Sequence, residues 1–213
     1  MLITAHSGAL RTGGNSREFF ETISAYPVDA IEVDVREIGG RLCLKHDFLP
    51  FGKRALSLEF AFDYVKERGF FINCDMKKYG LARAAAALAE KRGVLDRVIF
   101  TGNLTKEDLE FAEGANAYLN AGFFRGIIKF AKGNAPGIKA AVAALNTACV
   151  KGVNLDYKLC GEDFLEEAKR CGLGLSLYTV DDADALERLA ARGELCNITT
   201  NIPDKAIEIL RGR

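Results

Sequence analysis

The chain contains no tryptophan, and only two methionines, four prolines and two histidines among 213 residues. It also lacks net charge, with 29 Lys plus Arg against 29 Asp plus Glu. No basic tail or stripe stands out, which argues against a nucleic-acid partner. A neutral total leaves a small anionic substrate open, because a pocket can be locally cationic. No apolar run approaches the ~20 residues of a membrane span. The opening stretch MLITAHSGALRTGG has no basic segment followed by a long apolar one, so no signal peptide is expected and the sequence reads as cytoplasmic. Six cysteines, at 43, 74, 149, 160, 171 and 196, include no C-x-x-C pair. A zinc site is therefore not indicated, and buried, reduced thiols are the expectation.

What is present is an ordinary globular composition, 49% hydrophobic and 27% charged, with no linker or low-complexity tract. Residues 1–213 read as a single domain. Glycine punctuates the chain in a regular way. VKERG, AEKRG, AKRCG, LAARG and EILRG each close an amphipathic stretch at Gly69, Gly93, Gly172, Gly193 and Gly212, with a basic residue just before. That is a helix C-terminus, where Gly takes the left-handed conformation and the cation meets the dipole. Short apolar runs follow the first four, as buried strands do. The expected helices cover 16–25, 57–68, 80–92, 105–113, 136–150, 161–171, 182–192 and 203–211, with Ser57, Thr105 and Asp181 as N-caps. Strand–helix alternation implies a parallel sheet, and eight such units suggest a (β/α)8 TIM barrel with an extra hairpin strand after the second. A doubly wound open sheet is the alternative. Residues 121–135, aromatic and basic, fit the pattern least.

In a barrel, reactive groups gather at the C-terminal ends of the strands. His6 ends LITAH, Glu32 and Asp34 lie in AIEVDV, His46 ends RLCLKH and Asp75 ends FINCD. Both histidines and three carboxylates thus meet on neighbouring strands. Glu32 and Asp34, two apart, share one face about 6.6 Å from each other along the strand. Ile31, Val33 and Val35 would face the helices. Alone, such a pair is more often charge on a wet edge strand. Pointing inward, two anions need a cation or a retained proton. A divalent metal meets that need, with Asp75 as a third ligand, and hard carboxylates favour Mg²⁺ or Ca²⁺.

Two histidines at strand ends suit a general base and a general acid on opposite sides of one reacting centre. The hairpin register matters for His46. A two-residue Gly39-Gly40 loop pairs Val33 with His46 and turns the imidazole away from the carboxylates. A three-residue loop pairs Asp34 with His46 on one face. The catalytic reading expects the second register, or a bulge of the same effect.

The stretches ITAHSGA, AIEVDVREIGGRLCLKHD, FFINCDMK and GLGLSLYTVDDADALERLAARGELCNITTNIPD resemble the glycerophosphodiester phosphodiesterases. The resemblance covers both ends well and residues 103–150 poorly. It implies a (β/α)8 barrel that uses one divalent cation to hydrolyse glycerophosphodiesters to an alcohol and glycerol 3-phosphate. His6 and His46 would be the acid/base pair and Glu32, Asp34 and Asp75 the metal ligands. Lys77 would neutralise the phosphate, with Asn15 and Tyr178 also at the substrate. The chain departs from the family in places. Ser7 stands where an Arg usually follows the first His, Gly14 where PENT has its acid, and Asp75 where Glu is usual. Asn201 replaces the Asp of TD-x-P, and Tyr178 replaces a Trp. The insertion after HD is mostly absent. Arg11, or a base within 125–132, could stand in for the lost Arg. The related spider-venom phospholipases D lack that Arg and release a cyclic phosphate. Two alternatives therefore stand beside the hydrolase: a non-catalytic phosphate-ligand binder, and a lyase acting on lysophospholipid-type diesters. Phe60 and Phe62 read as packing residues, as do Phe123 and Phe124; Tyr157 sits at a strand end.

Overall fold

The structure, a computed structural model, describes residues 1–47, 55–110, 113–124, 134–190 and 192–212. Its strands are β1 (Leu2–Ala5), β2 (Ala30–Ile38), β3 (Arg41–Leu44), β4 (Phe71–Met76), β5 (Val98–Gly102), β6 (Asn116–Asn120), β7 (Val150–Asp156), β8 (Leu175–Tyr178) and β9 (Leu195–Thr200). Between them lie α1 (Arg17–Ile23), α2 (Leu58–Arg68), α3 (Ala82–Arg92), α4 (Lys106–Glu110), α5 (Ala135–Ala144), α6 (Glu162–Cys171), α7 (Ala183–Ala190) and α8 (Pro203–Arg211). β1 pairs in parallel with both β2 and β9, which closes eight parallel strands into a barrel; β3 alone is antiparallel, to β2. This is the (β/α)8 barrel with its extra strand, not the open sheet.

Local chemistry explains most element ends. Ser57 caps α2 by accepting from Phe60 N, and Thr105 caps α4 by accepting from Asp108 N. Gly69, Gly93 and Gly172 end their helices in the left-handed conformation. Gly193 and Gly212 do not take a positive φ, so two of the five expected C-caps differ. The helix expected over 136–150 stops at Ala144, because Asn146 turns left-handed and β7 already begins at Val150. Residues 111–112, expected in a helix, lie outside the described residues, as does 125–132. α7 is capped by Asp182 rather than Asp181, with Ala185 N donating to Asp182 Oδ1 at 2.7 Å.

Strand alternation sorts the core into two layers. Ile31, Val33 and Val35 of β2, with Ile72, Cys74 and Met76 of β4, face the helices and are fully buried. The aromatic residues Phe20, Phe60 and Tyr64 pack edge to face between α1 and α2, and Phe62 and Phe124 are buried. The barrel interior is polar instead: Thr4, Glu32, Asn73, Thr101, Asn154 and Ser176 are all buried. Bulky aliphatic layers are usual there. Polar groups in that place must satisfy one another or a ligand. All six cysteines are free; Cys74, Cys149 and Cys160 are buried as expected, but Cys43, Cys171 and Cys196 are only half-buried.

Candidate active site

The register of β2 against β4 builds the centre of the site. Glu32 lies beside Asn73, and Asp34 beside Asp75. Glu32 is 4% and Asp34 2% exposed, both inside the barrel at the C-terminal ends of the strands. One carboxylate oxygen each of Glu32, Asp34 and Asp75 lies within 4.8 Å of the others. Asp34 Oδ1 and Asp75 Oδ1 are buried without a hydrogen bond. Lys77 Nζ sits 2.8 Å from Asp34 Oδ1, out of hydrogen-bonding line, and pairs closely with Asp75 Oδ2. A buried carboxylate triad in which Asp75 Oδ1 has no hydrogen-bond partner among the described residues, and Asp34 Oδ1 has only the Lys77 ammonium beside it, fits a divalent cation.

Electrostatics point the same way. Burial, then the charges of Asp34 and Asp75, pushes Glu32 up to about 8. Burial works to raise Asp34 too, but the Lys77 ammonium and the Asn15 amide outweigh it and hold the carboxyl below its ordinary value. Burial opposes the charge on Lys77, yet Asp75 and Asp34 prevail and hold it protonated. Even with Glu32 protonated, the Asp34 and Asp75 carboxylates against one ammonium leave the centre anionic, so without a cation it would repel a phosphodiester.

Around this centre, Ser7 and Asn15 orient the carboxylates. Ser7 N donates to Glu32 Oε2 at 2.9 Å and Ser7 Oγ to Asp34 Oδ2 at 3.1 Å. Asn15 Nδ2 donates to Asp34 Oδ2 at 2.6 Å, while Asn15 Oδ1 accepts from Asp34 N at 3.0 Å. Both ends of the Asn15 amide are thus engaged with Asp34. Arg11 is exposed, and among the described residues no contact brings it to the centre.

His6 is held by a chain that begins at Asp181. Asn201 N and Nδ2 donate to the Asp181 carboxylate at 2.6 and 2.7 Å. With its nitrogen so used, Asn201 presents Oδ1 to His6 Nδ1 at 2.9 Å. In the neutral imidazole this contact puts the hydrogen on Nδ1 and leaves Nε2, 3.8 Å from Glu32 Oε2, as the acceptor. His6, Asp75, Lys77, Tyr178 and Thr179 line a cavity of about 220 Å³ with Glu32 at its side.

His46 is placed differently from the expectation. Gly39 and Gly40 form a two-residue loop with φ of 58° and 74°, and Val35 pairs with Leu44. Gly takes successive positive φ values at little steric cost, as a two-residue hairpin turn requires, and this favours the short register. β3 ends at Leu44, and the His46 imidazole lies 64% exposed with Nδ1 2.9 Å from Asp47 Oδ1. The His46 backbone carbonyl accepts from Arg36 Nε at 2.8 Å.

Sequence reasoning passed over Asp181, Asn201 and Ser7 as working parts. Asp181 read as a helix cap and Asn201 as a departure from TD-x-P. The signal lay in their pairing: an amide at 201 needs a carboxylate to orient it.

No protein-family model matches the chain, and no curated protein matches it in sequence. Solved structures do. A protein assigned as a glycerophosphoryl diester phosphodiesterase, from Agrobacterium tumefaciens, superposes with a TM-score of 0.78 at 13% identity, over 100% of this chain and 98% of its own. A glycerophosphodiester phosphodiesterase from the same organism gives 0.71 at 17%, over 97% and 98%. An Oleispira antarctica phosphodiesterase, solved with the product sn-glycerol-3-phosphate, gives 0.71 at 15%, over 99% and 97%. The chain thus shares, over its whole length, the barrel fold of glycerophosphodiester phosphodiesterases.

Proposed function

We propose that this chain is a divalent-metal-dependent phosphodiesterase that cleaves glycerophosphodiesters to an alcohol and glycerol 3-phosphate. The observation that carries the reading is the Glu32–Asp34–Asp75 triad, its ligand atoms within 4.8 Å of one another, with Glu32 and Asp75 lining one cavity with His6. The barrel likeness and the product bound to the Oleispira antarctica structure support the substrate class.

Glu32, Asp34 and Asp75 would hold one Mg²⁺ or Ca²⁺, which when bound supplies positive charge for the phosphoryl oxygens. His6 Nε2, with the Nδ1–H anchored on Asn201, takes a proton from the substrate's neighbouring hydroxyl as it attacks phosphorus. His46 protonates the leaving alcohol, for which its exposed imidazole must turn from Asp47 toward the cavity. A water molecule then opens the resulting cyclic phosphate to glycerol 3-phosphate. Lys77 adds a fixed cation at the cavity wall, and Tyr178 a ring and a hydroxyl. One domain, residues 1–213, would carry the whole reaction.

Purified protein with Mg²⁺ or Ca²⁺ is expected to release glycerol 3-phosphate from glycerophosphocholine. No turnover on a panel of diesters at any metal would overturn the reading. The exposed His46 and Ser7 in place of the Arg favour a second reading, a non-catalytic phosphate binder, which predicts ligand binding without turnover. Phosphorus NMR separates a lyase, whose product stays a cyclic phosphate.

A further inference from the structure

A hydrogen-bond relay runs through the barrel interior, and one backbone group sets its direction. Gly102 N, which can only donate, gives its hydrogen to Asn120 at 3.1 Å, so the atom it meets is Oδ1. Asn154 Nδ2 donates to the same oxygen at 3.0 Å, which leaves Asn154 Oδ1 to accept from Ser176 Oγ at 2.8 Å. Ser176 Oγ then accepts from Asn197 Nδ2 at 3.0 Å, and Asn197 Oδ1 from Thr4 Oγ1 at 2.6 Å. Each of these links is satisfied. The amide nitrogen of Asn120 makes no hydrogen bond among the described residues. Asn120 is half-buried, so this donor, fixed in direction and open to the cavity, is available to an acceptor that displaces water.

Asn120 stands on a border. The 220 Å³ cavity meets a second of about 280 Å³, and both are lined by Asp75, Lys77, Asn120 and Tyr178. On the inner side lie Asn73, Thr101 and Thr199; on the outer side, Tyr79, Leu104 and Phe123. A phosphodiester carries one substituent on each side of phosphorus, so this border is where the phosphorus fits. Lys77 there is already paired with two carboxylates. A neutral amide is not neutralised by them.

We infer that Asn120 donates through Nδ2 to a phosphoryl oxygen of the substrate, with Asn154, Ser176 and Asn197 as positioning residues that aim it. The inference rests on the phosphodiesterase reading above and names the group that helps grip phosphate where the family's Arg is Ser7.

Asn120→Asp keeps an oxygen for Gly102 N and Asn154 but removes the donor. Because the new carboxylate would by itself repel phosphate, its raised Kd counts for the inference only if the uncharged Ser176→Ala moves the same way. With saturating Mg²⁺, its Kd for glycerol 3-phosphate by calorimetry is expected to rise about tenfold, and KM for glycerophosphocholine with it. Ser176→Ala leaves Asn120 intact and serves alone if the first variant does not fold; a Kd raised about threefold at near-wild-type Tm is expected. A structural role alone would lower Tm and leave the Ser176→Ala Kd unchanged. Wild-type Kd in either variant overturns the inference. A wild-type chain that binds glycerol 3-phosphate but cleaves nothing overturns the phosphodiesterase reading instead, and the Kd values still judge Asn120. A wild-type chain that does not bind it overturns both.

Discussion

His6 Nδ1 and Asn201 Oδ1 are 2.9 Å apart, though they lie at opposite ends of the chain. The contact selects the histidine tautomer, and Asp181 selects the orientation of the amide that makes it. Because Asn201 is neutral, it orients His6 without the charge an Asp would add. His6→Ala is expected to lower kcat by about 10²–10⁴-fold. Asn201→Leu should cost less, and Asn201→Asp should move the acidic limb of the kcat profile upward, since an anion on Nδ1 favours the imidazolium. A pH–rate series on the three variants checks this.

Glu32 governs both metal binding and stability. Its pKa in the fold, about 8, lies above the ordinary 4.5. Between those values the folded protein keeps a proton that the unfolded chain has released, so metal-free stability falls as pH rises through this window. Glu32→Gln is expected to raise the metal-free Tm above pH 8, with the gain vanishing below pH about 4.5. Metal binding displaces the same proton, so below pH 8 Mg²⁺ affinity should rise with pH by up to about tenfold per unit. Thermal melts with and without Mg²⁺ across that range measure both effects.

Lys77 stands in for a cation between Asp34 and Asp75. Lys77→Met leaves both carboxylates unpaired, and breaking a buried pair in this way costs on the order of 3–5 kcal/mol. The variant's metal-free Tm should drop, and Mg²⁺ should restore more of it than it adds to wild type. Equal Mg²⁺ stabilisation in the two proteins would show that lysine and metal do not share the site.

Gly102 touches two working groups at once. It has a φ of +82°, and a Cβ built there would lie 2.0 Å from Asp75 Oδ1, while its N–H holds Asn120. Gly102→Ala must displace Asp75 or the strand end. A Mg²⁺ affinity at least tenfold weaker is expected by titration, with Tm lowered as well.

His46 is the group that the fold holds least. Its imidazole is 64% exposed, so His46→Ala should leave Tm within about 1 °C while turnover is lost. Wild-type activity in that variant would remove His46 from the acid/base pair.

The barrel was legible because its signals are local. Gly69, Gly93 and Gly172 close helices wherever the chain is placed, and the Val/Ile alternation of β2 sends Glu32 and Asp34 inward. Asp75 could be matched to Asp34 because strand order in a βαβ unit follows chain order. The hairpin was less legible. Both loop lengths were compatible with GG, and the two-residue turn, favoured by two left-handed glycines, placed His46 outside. Asp181 failed for a related reason: two adjacent aspartates offer the same cap, and only the position of Asn201 decides which is free.

From sequence alone followed the alternation of strand and helix, the inward face of the Glu32–Asp34 pair and the clustering of reactive residues at strand ends. Periodicity, caps and turn residues act over a few positions, so they are written locally. Tertiary structure decided the rest: the tautomer of His6, the engagement of Asn15 and Ser7 with carboxylates, and the direction of the relay that ends at Asn120. Those depend on hydrogen bonds between residues up to 195 positions apart, and closure of the barrel brings them together.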